Sequence, residues 1–270
     1  MYKIGITSYA FEHTDARFQK LLKSGLSAVE LAMSANPNID TENFIDMAQR
    51  NGVLVWSCHL PFRPDISVPD PEHRKTVIPT LSEIIKKVSA RGVDKFVLHP
   101  SLPIKEGADR NEQKLVSMEH LSKLADIAAE CGAVIAVEDM TKVCVGNSVK
   151  ELSEMISVND KLRVCFDVNH LLNNTHEEFF EALGDKIVTV HISDYDFVQE
   201  RHAFPGRGKI DWPKLCSLFV KYGYNGVWMH ELGLSETTAE DGGPGPTFKN
   251  LYDADMQIFS GKAPVVEIRE

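Results

Sequence analysis

The sequence predicts an α/β chain that closes as a single-domain (β/α)8 barrel, and three observations predict it. Eight short β-rich runs alternate with amphipathic helical stretches along the 270 residues. The segments that follow these runs are long, whereas those that precede them are short. Six successive runs, the third to the eighth, end in a residue type that binds metal. The first observation sets the fold class, the second sets the functional face, and the third suggests its chemistry.

In chain order the runs are Lys3–Ser8, Ala28–Leu31, Val53–Cys58, Lys95–His99, Ala133–Glu138, Leu162–Asp167, Ile187–His191 and Gly226–Glu231. Several are nearly continuous Val, Ile, Leu and Phe, as expected for parallel strands covered on both faces. Between them, Thr80–Ala90, Glu112–Cys131 and Val149–Ile156 carry apolar residues at helical spacing. Turns at Arg50-Asn51-Gly52, Ala90-Arg91-Gly92, Glu130-Cys131-Gly132 and Lys221-Tyr222-Gly223 place a glycine where a helix can end in the left-handed conformation. An open doubly wound sheet is the alternative, but Gly5 stands alone where a dinucleotide-binding turn needs several glycines. The long segments Pro61–Pro71, Pro100–Asp109, Ser193–Ile210 and Gly233–Gly245 mark the C-terminal face of the strands, where barrel enzymes build their sites. Residues 1–262 form the expected barrel, and Ala263–Glu270 a tail or an oligomer contact.

Composition narrows the function classes. With 29 Lys and Arg against 39 Asp and Glu, the net charge of −10 argues against an extended nucleic-acid surface. At 43% hydrophobic and 25% charged residues, the chain reads as globular. No apolar run approaches the roughly 18 residues needed to span a bilayer, and the start of the chain reads as a strand, so the expected location is the cytoplasm. Five cysteines (Cys58, Cys131, Cys144, Cys165 and Cys216), without a C-x-x-C pair, argue for reduced structural thiols rather than a disulfide framework or a thiolate zinc site.

The strand ends read His59, His99, Glu138, Asp167, His191 and Glu231. Taken singly, His59 and His99 are compatible with hydrogen-bonded strand-end residues, and any one carboxylate with a helix cap. In register at six consecutive ends of a barrel they converge on one axial pocket. Glu138, Asp167, His191 and Glu231 would offer a divalent cation three carboxylates and one imidazole, a set suited to Mn²⁺ or Zn²⁺ and compatible with Mg²⁺ or Co²⁺. Burying three carboxylates together without a cation would be costly. His13, His73, His120 and His176 fall in helices or loops and receive no role, and His230 should turn away from the pocket by strand alternation. After the seventh run, the stretch Glu200–Pro213 holds Gly206 and Gly208 for a tight turn and Asp211 as an N-cap. His202, Arg201 and Arg207 could face the pocket from this loop. Lys142, Arg201, Arg207 and Lys209 are the candidate cations for a substrate phosphate.

On these residues the chain resembles the xylose isomerase-like TIM-barrel superfamily, the sugar phosphate isomerase/epimerase group that also holds the endonuclease IV-type enzymes. The resemblance runs over about residues 3–260. It rests on Glu138, Asp167-x-x-His170, His191-x-x-Asp194, His202-x-x-Pro205-Gly206-x-Gly208-x-Ile210-Asp211, and Tyr224-x-Gly226 leading to Glu231. It implies a divalent metal at Glu138, Asp167, His191 and Glu231, with Glu138 and Glu231 as the catalytic acid/base pair and His170 on a substrate hydroxyl. His59, His99 and His202 match positions that bind further zinc ions in the endonuclease branch. That branch has an aspartate two residues before the last histidine, where this sequence has Glu200.

The expected function is therefore metal-dependent isomerisation or epimerisation of a sugar, sugar phosphate or polyol-derived ketone. The metal would stabilise the enediolate formed when a carboxylate removes the α-proton. A keto-sugar or inosose-type lyase or dehydratase on the same site is the alternative. Behind these stand a zinc-dependent phosphodiesterase and a non-catalytic sugar-binding protein. The expected partner is a small carbohydrate, with no nucleic acid, no membrane, and a second copy of the chain as a possible oligomer.

Overall fold

The structure, a computed structural model, describes residues 1–141, 143–171, 173–234 and 246–265. Its strands are β1 (Lys3–Thr7), β2 (Ala28–Ala32), β3 (Leu54–His59), β4 (Lys95–Leu98), β5 (Val134–Glu138), β6 (Arg163–Asp167), β7 (Ile187–His191) and β8 (Val227–His230). The helices that alternate with them are α1 (Asp15–Lys23), α2 (Thr41–Arg50), α3 (Pro71–Ser89), α4 (Arg110–Glu130), α5 (Val149–Ile156), α6 (His176–Leu183), α7 (Trp212–Lys221) and α8 (Phe248–Phe259). All paired strands are parallel, in the order β7-β6-β5-β4-β3-β2-β1-β8. The ring closes at the strand ends, where Ile192 N donates to Met229 O at 2.8 Å and Glu231 N to Ile192 O at 3.1 Å. The fold is thus the expected single-domain (β/α)8 barrel.

Each α-helix begins at a polar side chain that accepts a hydrogen bond from its first turn: Thr14, Asp40, Asp70, Asp109, Ser148, Thr175, Asp211 or Thr247. A cap of this kind contributes about 1 kcal/mol. The expected glycine ends are also present, with Gly52, Gly92, Gly132 and Gly223 at φ +77°, +87°, +71° and +73°. One helix exceeds its expected length: α3 starts at Pro71 rather than Thr80 and runs through Pro79. Val77, Leu81, Ile85 and Val88 bury a continuous stripe across that proline. Pro79 itself is exposed, so the carbonyl it leaves without a partner can face water.

Strand alternation separates two apolar layers. Ile135, Val137, Val164, Phe166, Val190 and Trp228 point outward and join the main core beneath the helices. Ala28, Val227 and Met229, with Trp56 against them, and Val97, Ala136 and Cys165, with Val188, fill the barrel interior. Further along the same interior side, at the C-terminal ends of β5, β6 and β7, stand Glu138, Asp167 and His191. All five cysteines are free, three of them buried. His230 faces outward, as alternation requires, and is bonded to Asp255 of α8 at 2.8 Å. Among the described residues no helix is long and apolar enough to cross a membrane. The first described residues of the tail fold back, with Val265 N donating to Gln257 Oε1 at 2.9 Å; residues 266–270 lie outside the described part.

Candidate metal centre

At the mouth of the barrel, three carboxylates meet around one imidazole nitrogen. His191 Nδ1 lies 2.8 Å from Glu138 Oε1, 2.9 Å from Glu231 Oε2 and 3.9 Å from Asp167 Oδ2. One donor atom from each of the four falls within 4.8 Å of the others. Glu138, Asp167 and His191 are fully buried, while the Glu231 side chain keeps 14% of its surface. These are the four residues singled out from the strand ends, brought together from β5, β6, β7 and the end of β8.

A divalent cation fits this set on the structure's own terms. Asp167 Oδ2 and Glu138 Oε2 are buried without a hydrogen-bond partner, an expense rarely left uncompensated. The cluster is all oxygen and imidazole nitrogen, a donor set for Mn²⁺, Zn²⁺, Mg²⁺ or Co²⁺. Electrostatics agree. Burial, partly opposed by His170 and His202, pushes the Asp167 carboxyl up to about 6. Burial also raises the Glu231 carboxyl, but His191 and His202 outweigh it and hold the group well below the usual carboxylate range. Burial works against a charged His191, yet the surrounding carboxylates raise it well above an ordinary histidine.

Further groups adjoin the first, one of them adding Cys165 to Glu138 and His191. His59 Nε2 and His99 Nε2 lie 3.2 and 3.0 Å from Glu138 Oε2, close but without well-aligned hydrogen bonds. These three side chains also converge within metal-ligand distance. On the other side, Asp167, His170 and His202 form another group. His170 Nδ1 donates to Asp139 O at 2.7 Å, which turns Nε2 toward Asp167 Oδ2 and Glu200 Oε1, both at 3.7 Å. Glu200 Oε1 is 3.1 Å from His202 Nε2. The longer glutamate side chain therefore reaches the pair of histidines from the position where the endonuclease pattern has an aspartate.

The loop that carries His202 is organised by Asp194. Its Oδ1 accepts from Tyr195 N at 2.9 Å and Ile210 N at 3.3 Å, and its Oδ2 from Gly206 N at 2.7 Å and Trp212 Nε1 at 3.3 Å. Gly208 packs so closely on this carboxylate that a Cβ would overlap it. Held this way, His202 adopts φ +44°, an uncommon conformation for a side-chain-bearing residue. Its Nδ1 lies 3.1 Å from the carbonyl oxygen of Glu231.

Above the cluster opens a cavity of about 310 Å³, walled by Tyr9, Ser34, Ala35 and Phe62 and floored by His99, His170, Glu200, His202 and Glu231. No Lys or Arg lines it among the described residues. Arg201 instead pairs with Asp196 at 3.0 Å and is 55% exposed, and Arg207 and Lys209 are exposed. The expectation that Arg201 and Arg207 face the pocket thus does not match their placement, because the turn that aims His202 inward sends its neighbours out. Lys142 lies outside the described residues. Sequence reasoning missed Tyr9 and Phe62 on the cavity wall, and it missed Glu30 of β2. Glu30 is fully buried, with Oε1 3.1 Å from His191 Nε2 and Oε2 accepting from Ser57 Oγ at 2.7 Å. The signal was an acidic residue in the middle of a run otherwise read as a buried strand.

Comparison with known proteins agrees with the architecture. The chain is 25% identical over 215 residues to an uncharacterised protein of Methanocaldococcus jannaschii, covering 78% of this chain and 84% of that one. It is 28% identical over 180 residues to a probable endonuclease 4 of Acholeplasma laidlawii, covering 59% and 60%. The chain therefore spans about six tenths of the length of that endonuclease 4 relative. D-psicose 3-epimerase of Clostridium cellulolyticum H10 superposes with a TM-score of 0.72 at 20% identity, over 86% of this chain and 85% of that one. The family model described as xylose isomerase-like TIM barrel matches residues 18–245. With strand order, strand-end cluster and this match in agreement, the chain belongs to the xylose isomerase-like TIM-barrel family.

Proposed function

We propose that the protein is a divalent-metal-dependent isomerase or epimerase that moves a proton beside the carbonyl of a small sugar or polyol-derived ketone. One observation carries this reading: Glu231 opens onto a cavity of about 310 Å³ while sharing His191 Nδ1 with Glu138 at 2.9 and 2.8 Å. Glu138, Asp167, His191 and Glu231 would hold the cation, which would supply Lewis-acid stabilisation of negative charge on a ketone oxygen. The carboxylate of Glu231, ionised at neutral pH, takes the α-proton from a ketose in the cavity. Glu138 lies one layer deeper. Its Oε2 is 3.0 Å from His99 Nε2, and His99 lines the cavity, so Glu138 exchanges protons on that side. His170 and His202 offer ring nitrogens to substrate hydroxyls, and Tyr9 and Phe62 cover the apolar face of the sugar.

The test is deuterium exchange from solvent into a panel of ketoses by the Mn²⁺- or Zn²⁺-loaded protein. Glu231→Gln and Glu138→Gln are each expected to lower exchange by at least roughly a hundredfold, the scale of a lost general base. Near-wild-type exchange in either variant would overturn the assignment of that glutamate. Product mass separates isomerisation, which conserves it, from the lyase reading, which loses water.

A second reading, phosphodiester hydrolysis by several metals, is favoured by His59 and His99 beside Glu138 and by His170, Glu200 and His202 around Asp167. The net charge of −10 weighs against a duplex substrate, whose binding depends on phosphate neutralisation. Nicking of abasic DNA with more than one bound metal per chain would establish this reading in place of the first.

A further inference from the structure

We propose that Glu30 is a positioning residue for the metal centre: it holds the proton of His191 on Nε2 and so aims the Nδ1 lone pair at Glu138, Asp167 and Glu231. This rests on the reading of those four residues as a metal site. An imidazole that ligates through Nδ1 must carry its proton on Nε2, and that nitrogen faces Glu30 Oε1 at 3.1 Å and Oε2 at 3.3 Å. A buried carboxylate accepting from the far nitrogen fixes both the tautomer and the orientation of a ligating ring.

The backbone is arranged for this contact. Along β2 and β3 the pairing runs Val29 with Val55 and then Glu30 with Ser57, so Trp56 is passed over in a bulge. The extra residue turns both Trp56 and Ser57 toward the barrel interior and sets Ser57 directly beside Glu30. Ser57 Oγ donates to Glu30 Oε2 at 2.7 Å, steering the carboxylate toward His191. Beneath it, Trp56 Nε1 donates to Thr189 Oγ1 at 3.2 Å, tying the bulge to the strand that carries His191. A regular pairing would set Glu30 opposite Trp56 and leave the carboxylate without its hydroxyl.

The experiment measures Mn²⁺ and Zn²⁺ affinity by titration calorimetry on metal-stripped protein, together with the melting temperature of the stripped form. Glu30→Gln keeps volume and shape but removes the charged acceptor; it is expected to weaken metal binding at least roughly tenfold with the stripped melting temperature held or raised. Ser57→Ala, a milder change, is expected to move affinity in the same direction by less. If the wild-type chain binds neither ion, the metal centre itself fails and the proposal with it. If the wild type binds and Glu30→Gln binds equally well, or if Glu30→Gln lowers only the stripped melting temperature, Glu30 is structural and the proposal is overturned while the centre stands.

Discussion

Replacing Asp167 by Asn should stabilise the metal-stripped protein and abolish its response to metal. Most substitutions of a fully buried, hydrogen-bonded residue destabilise. Asp167 differs because its Oδ2 has no partner and Glu138 and Glu231 are its neighbours in the cluster. Raising its carboxyl from the ordinary 3.8 to about 6 corresponds to about 3 kcal/mol against the ionised form at neutral pH. The sign follows from the direction: a carboxyl whose value is raised in the folded state loses stability as pH climbs from 3.8 to about 6, and the full cost is in place at neutral pH. An amide at this position carries no charge and still accepts from Asn169 N, which lies 2.6 Å from Oδ1. The stripped variant should therefore be more stable by about 1–3 kcal/mol, which for a domain of this size raises the melting temperature by roughly 2–6 °C. In the wild type, metal at a hundred times its Kd adds about 2.7 kcal/mol, so the two proteins should cross in stability as metal is added. Differential scanning calorimetry at pH 7 with EDTA and then with Mn²⁺ or Zn²⁺ reads both effects. A stripped Asp167→Asn protein that melts several degrees below wild type, or one that keeps the full metal-induced rise, would refute the reasoning.

Two more predictions follow from the loop and from a half-buried histidine. Gly208→Ala forces a methyl group against the Asp194 carboxylate, so the loop bearing His202 must shift; activity on a responsive ketose should fall more than tenfold, with the far-ultraviolet circular dichroism unchanged, and a fully active variant would remove Asp194 as the organiser. Burial lowers His176 from 6.5 to about 4, so its contribution to stability is complete above pH 6.5 and declines as pH falls toward 4, by up to about 3 kcal/mol. Urea melts of His176→Asn between pH 7 and 4 should show a flatter acid limb than wild type, and parallel curves for the two proteins would mean that His176 does not contribute to it.

The legible part of the fold was the part written in local periodicity. The eight runs lie within one or two residues of the eight strands, because buried parallel strands must be short and apolar and must end at turns. Helix α5 (Val149–Ile156) coincides with its expected span. Helix α3 does not, because a proline inside a helical pattern reads as a start, and only the apolar stripe packed on both sides of Pro79 carries the helix across it. At the site, strand ends were legible for the same reason: in a closed barrel every strand delivers its last inward residue to one place. Loop residues were not. Arg201 and His202 are adjacent in sequence, but one pairs with Asp196 at the surface while the other lies beside Glu231.

By itself, then, the amino-acid order determined which residues can gather at the barrel mouth: Glu138, Asp167, His191 and Glu231, with His59 and His99 from neighbouring strands. Tertiary structure alone decided which atoms face one another. It set Nδ1 of His191 toward three carboxylates and Nε2 toward Glu30, brought Glu200 within reach of His202, and kept Arg201 and Arg207 out of the cavity lining. Side-chain period along a strand is a local property with a spacing of two. The pairing register, the bulge at Trp56 and the hydrogen bonds that fold the loop around Asp194 depend on residues far apart in the chain, and they exist only once the strands have closed.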